Sequence, residues 1–190
     1  VFAANWGLEE VINIQPDQSA KAARVNASPI SKTKLFVCNM LASYTCHIVS
    51  VILLFIYMKF VLYVKFGNEL VYLLAVCLLG SLTGLLFGAV IGFWIKKKAE
   101  IKEAVLIAVV LVFSFLSGMM SVEMKYYVTE KFPLLACINP VYLITDAMYS
   151  LYYFDSHSRY YINLLLLIVM AAVFMAASYF GIRRKNYDSI

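Results

Sequence analysis

His47 is the ionisable side chain set deepest in an apolar run of this sequence, LASYTCHIVSVILL. An ionisable group at membrane depth is by default a candidate for lining a transport path. A neutral imidazole bonded to Ser43 or Ser50, at i−4 and i+3 on the same helix face, explains it equally simply. Asp155, Ser156 and His157 look loosely like metal ligands. One turn supplies all three and no further ligand is near, so a solvated loop is the better reading and no metal site is expected. The four cysteines at 38, 46, 77 and 137 show no CxxC spacing. Three sit in apolar runs, where cysteine behaves as a small hydrophobe. G-x-x-x-x-G-K-[ST], HExxH and GxSxG are absent from the sequence, as is any carboxylate pair inside an apolar run. The chain therefore offers no nucleotide cradle and no catalytic residues.

The sharpest spacing is structural. Gly80, Gly84, Gly88 and Gly92 recur every four residues, with Ser81 and Ala89 alongside. Absent side chains along one helix stripe let another backbone approach closely. The stripe reads either as a sliding or dimerising interface or as tight packing within one subunit; both place it against protein. The first 34 residues differ in kind. VFAANWGLEEVINIQ is the end of an earlier membrane helix or an interfacial helix. Beyond it, Asp17 is placed to cap a short helix carrying Lys21 and Arg24. Ser28 and Pro29 then read as cap and first residue of the next helix. The plain alternative is an amphipathic linker on an anionic leaflet.

Such residues need a membrane-sized framework, and composition supplies one. Of 190 residues, 63% are hydrophobic and 14% charged, against about 25% charged in a soluble domain. Mean hydropathy is +0.82. A soluble fold of this size could not cover that much apolar side chain, and disordered chains are poor in it. The expected fold class is an all-α integral membrane protein, a polytopic helix bundle. Uncharged runs at 35–58, 70–95, 104–122 and 160–182 give about four spans of the length a bilayer needs. Residues 1–34 precede the bundle, 123–159 form an outer loop with short helices, and 183–190 form a tail. Within that loop, FPLLACINPVYLIT is too short to cross, and Pro133 and Pro140 break it, so it reads as a broken re-entrant pair of short helices. Tyr149, Tyr152 and Tyr153 suit the headgroup zone.

Lysine and arginine set the orientation. Lys21, Arg24, Lys32, Lys34, Lys96, Lys97, Lys98, Lys102, Arg183, Arg184 and Lys185 fall on one side of a four-span chain. Lys59, Lys65, Lys125, Lys131 and Arg159 fall on the other, Lys59 snorkelling to its interface. The first side is expected to be cytoplasmic, holding both the N-terminal segment and the tail. The net charge of +5 is thus a topology signal, and no nucleic-acid partner is expected.

The order of these elements resembles the C-terminal part of an ABC-2 type transporter permease, the membrane subunit of an ATP-binding cassette exporter. RVNASPISKTKLFVCNMLA resembles that family's coupling segment and third helix, and KFGNELVYLLAVCLLGSLTGLLFGAVIG its outer turn and Gly-rich fourth helix. FSFLSGMM resembles the end of the fifth helix, INPVYLITDAMYSLYY the outer re-entrant region, and RRKNYDSI the cytoplasmic tail. The family has six helices per permease half. With Val at position 1, the chain reads as a piece lacking the first helix and most of the second. The resemblance implies a plasma-membrane subunit that binds no cofactor and rests on a separate ATPase, which uses the ATP. It would pair with a second permease half, identical or different, and sit in membrane lipid. Asp17, Lys21, Arg24, Ser28 and Pro29 would then form the ATPase-coupling segment. A secondary transporter or a membrane scaffold or assembly factor is the alternative, although the former would normally need buried charges beyond His47.

Overall fold

The computed structural model describes residues 2–18, 22–24, 31–154 and 157–187, with backbone alone at 68 and 184–187. All regular elements among the described residues are helical, with no strand. They are α1 (Phe2–Ile12), α2 (Lys32–Phe60), α3 (Leu70–Trp94), α4 (Ala99–Leu116), α5 (Val122–Lys131), α6 (Pro133–Ile138), α7 (Pro140–Tyr153) and α8 (Ser158–Tyr187). A 3₁₀ turn, Gly67–Glu69, leads into α3.

Among the described residues three helices are long and apolar enough to cross a membrane: α2, α3 and the Ser158–Arg183 part of α8. The expected span at 104–122 is shifted. Its helix starts earlier, at Ala99, and stops at Leu116. Ser117 and Gly118 turn out of it, Gly118 with φ +84°, a backbone that glycine adopts without a Cβ penalty. The first turns of α4 carry Glu100, Lys102 and Glu103, which is why length and composition do not set it beside the other three. At 18 residues it is about 27 Å long. Its buried side chains, Lys102, Leu106 and Val110, recur every four residues, while Ile107, Leu111, Val112 and Phe115 are exposed.

The chain divides into two compact units. The first comprises Val1–Thr45, Leu82–Ala108 and Ala171–Ile190. Its core gathers Val11, Ile14, Phe36, Met40, Leu85, Ala89, Phe93, Ala171 and Ile182. Phe36, near the start of α2, stacks edge-on to Phe93, near the end of α3, at 5.3 Å. Gly181, late in α8, also lies against Phe93. In this unit α2 thus begins, and α8 ends, where α3 ends.

The second unit comprises Cys46–Ser81 and Val109–Met170. Leu73, Val76, Leu143, Ala147, Tyr160 and Leu167 form its main core. The Tyr160 hydroxyl donates to the Tyr72 carbonyl at 2.9 Å, so α8 begins beside the start of α3. The two prolines expected to break this region instead start helices, each sitting in the first turn of α6 or α7, where proline's missing N–H costs no helical bond. Asn139 caps α7: its Oδ1 accepts from Val141 N and Tyr142 N, while Nδ2 donates to the Phe113 carbonyl near the end of α4. One buried amide thereby fixes both the start of α7 and its place against α4.

Candidate functional site

The glycine stripe of α3 is filled from within the chain. A Cβ at Gly88 would overlap the carbonyl oxygen of Ala4, and a Cβ at Gly7 would overlap that of Leu85. The two glycines thus face each other's helix, so the backbones of α1 and α3 meet with no side chain between them, the geometry small residues permit. Gly84 lies against Ala3, and Gly92 against Leu8 and Val11. Partners advance together along both helices, so α1 runs parallel to α3. Gly80 belongs to the other unit and faces Ile144 of α7.

A polar node closes this seam. Gln15, 2% exposed, donates through Nε2 to the Gly92 carbonyl at 3.0 Å. Gly92 lies in the last turn of α3, where carbonyls lack helical partners. Gln15 Oε1 accepts from Lys102 Nζ of α4, and Lys102 is fully buried. Three elements therefore converge where the chain leaves α1. Lys102, expected between two spans, lies inside α4, in the wall of this node. The Ser43 hydroxyl of α2 also donates to Glu10 Oε1 of α1 at 2.7 Å.

The expected coupling segment is described only in part. Asp17 lies in a turn, and its carboxylate accepts from Gln18 Nε2 at 2.9 Å. Arg24 is exposed in a helical stretch over 22–24. Lys21, Ser28 and Pro29 lie outside the described residues. His47 is half-buried on α2. The Ser43 hydroxyl donates to Glu10 and the Ser50 hydroxyl to the Cys46 carbonyl. His157 faces Glu69 at 3.4 Å and the Tyr72 ring at 5.1 Å between centroids, while Asp155 and Ser156 are outside the described residues.

The second unit holds a cluster that the sequence reading passed over. Asp146 of α7, 4% exposed, accepts four bonds from three side chains. Arg159 is bidentate, Nε at 2.7 Å and Nη2 at 2.9 Å. Lys125 Nζ lies at 2.9 Å and Asn163 Nδ2 at 2.8 Å. The Lys125 ammonium also sits 4.0 Å from the Tyr149 ring centroid, a cation–π contact. Burial pushes the Asp146 carboxyl up, but the bonds from Arg159, Lys125 and Asn163 outweigh it and hold the group below its ordinary value. Burial likewise lowers the Lys125 ammonium, against the opposing pull of Asp146. The cluster clamps α5, α7 and α8 together. A lone acid inside an otherwise apolar helix, YLITDAMYSL, was the signal available for it.

Neither site has the nucleophile, base or open ligand set that bond-breaking chemistry requires. Both are packing and positioning devices in apolar helices. Residues 14–180 match the ABC-2 family transporter protein family. The chain belongs to the ABC-2 transporter family. It is accordingly a membrane transport component and not itself a catalyst. Comparison with curated proteins and with solved structures gave no match. In ABC-2 terms, the match begins at Ile14, so it takes in the node at Gln15, α2 to α7 and most of α8.

Two outcomes follow. Gly88→Leu forces a branched side chain into the α1 backbone and should destabilise by about 3 kcal/mol or more, seen as a lowered thermal midpoint in detergent. The same leucine at exposed Val112 of α4 should be tolerated. For Asp146, a carboxyl depressed on folding adds stability above its unfolded value that is lost as pH falls through the folded one. The thermal midpoint should therefore drop below the ordinary carboxylate range. Asp146→Asn should cost on the order of 3 kcal/mol of stability at neutral pH, lowering the midpoint there, and flatten that acid limb.

Proposed function

We propose that this chain is the membrane permease subunit of an ATP-driven exporter, coupled to a separate ATP-binding cassette ATPase and paired with a second permease half. In this reading α4 crosses the membrane as a fourth span. Beyond the charged first turns its exposed side chains, Ile107, Leu111, Val112 and Phe115, are apolar. The ends of α3 and α8 and the starts of α2 and α4 carry the lysine- and arginine-rich segments. They would face the cytoplasm of a plasma-membrane protein, with the short helices α5 to α7 outside, in or dipping into the outer leaflet. ATP would be bound by the partner alone, since the sequence has no phosphate-cradling loop.

The observation that carries this reading is the Gln15 node. The segment following α1 is the expected lever for an ATPase, and Gln15 stands at its root. Bonds from Gln15 to the α3 backbone and to Lys102 of α4 give a push on that segment a rigid path into two transmembrane helices. A segment merely resting on lipid would need no such anchor. Asp17, Lys21, Arg24, Ser28 and Pro29 are the residues proposed to make the ATPase contact, with Lys21 and Arg24 meeting acidic groups. His47 is proposed as a path-lining side chain on α2.

Lys21→Glu with Arg24→Glu tests the coupling. Nine of the eleven cytoplasmic cations remain against five outside, so membrane insertion should be unchanged. Co-purification with the ATPase should weaken, or ATP hydrolysis should lose its dependence on the permease. Compensating basic substitutions on the ATPase should restore both. Unaltered complex and unaltered export in the double variant would leave the segment as a lipid-facing linker.

A further inference from the structure

We propose that the first unit carries a binding site for the phosphate head of an anionic membrane lipid. A cavity of about 610 Å³ opens beside the Gln15 node, within the size range of small-ligand pockets. Among the described residues Lys32, Lys96, Lys97, Lys98 and Lys102 line it, against one carboxylate, Asp17. Lys102 is already engaged with Gln15 at the back wall. Among the described residues, Lys32, Lys96, Lys97 and Lys98 have no salt bridge, and the last three are exposed. The remaining wall is mixed, the amides of Gln15 and Gln18 beside Ile14, Pro16, Phe93 and Ile182.

Position selects the ligand. Phe93 and Ile182 each stand at the last turn of a candidate span, Leu70–Trp94 and Ser158–Arg183. Beside them Trp94 is 58% exposed, its indole N–H directed at the Ala177 carbonyl. Tryptophan at a span end marks the membrane–water boundary. The cavity therefore lies at the depth of lipid phosphates. Basic pockets between transmembrane helices suit anionic headgroups for this reason. The site adds to the exporter reading and does not depend on an ATPase.

The test uses the purified full chain in nanodiscs of phosphatidylcholine containing a minor share of photoactivatable phosphatidylglycerol. Adducts should concentrate on residues 93–102 and fall about tenfold or more in a Lys96→Gln, Lys97→Gln, Lys98→Gln variant. The corresponding triple arginine variant should retain them, which separates charge from folding. Lys32→Gln alone, outside that loop, should reduce labelling several-fold. Labelling spread along α2 and α8, or unchanged by the glutamines, overturns the proposal. Inorganic phosphate binding to the chain in phosphatidylcholine alone, lost in the glutamine variant, would assign the cavity to free phosphate and overturn the lipid. Loss of lipid adducts on adding the ATPase, with cross-links from that protein to Lys97, would make it a protein dock and equally overturn it.

Discussion

The contact on which the first unit depends is the meeting of two backbones without side chains between them. Gly7 of α1 and Gly88 of α3 each occupy the space where the other helix's carbonyl would strike a Cβ. At that separation dispersion contacts between main-chain atoms replace side-chain interdigitation, and a single methyl group has no room to move aside. The seam fixes α1 in register and direction along α3. Register in turn decides where α1 ends, and therefore where Gln15 finds an orphan carbonyl at the end of α3 and the amine of Lys102. A shift of one residue along the seam would point Gln15 elsewhere and leave a buried ammonium without that acceptor, an expensive arrangement in an apolar bundle.

The second unit is organised around a charge instead of a close approach. Asp146 is buried on a short helix that could not cross a membrane, and three donors from α5 and α8 converge on it. The aromatic ring of Tyr149 covers Lys125, and Tyr142 bonds Thr129 through its hydroxyl at 2.6 Å. Short helices contribute little apolar area each, so directional bonds to one carboxylate hold them where packing alone would not. Asn139 performs the same service for α4 and α7 with a neutral amide.

Much of the helical framework was legible because apolar run length is a strong signal. Leu35–Met58 lies within α2, Leu70–Ile95 overruns α3 by one residue, and Tyr160–Ile182 lies within α8. The run ending at Val122 misled because hydropathy does not see Ser117 and Gly118 leave the helix, and because α4 begins among charged residues that hydropathy assigns to a loop. The α3 stripe was visible at its four-residue spacing. Its partner was not, although Ala3, Gly7 and Val11 on α1 share that spacing. An 11-residue helix is too short for periodicity to stand out. The partners at the Gln15–Lys102 and Asp146 sites were illegible for a different reason. Their members are separated by up to 87 positions, and only folding brings a solitary amide or acid to the cation that satisfies it.

The tie between the segment after α1 and the helices behind it is measured most directly by a double-mutant cycle on Gln15→Leu and Lys102→Met, read as thermal stability of the purified full chain in detergent. If the two side chains act as one node, the double variant should be little worse than the poorer single variant, a non-additivity of about 0.5–3 kcal/mol. Losses that simply add would mean that Gln15 and Lys102 do not meet in the membrane protein, and that the lever ascribed to this segment has no fixed root.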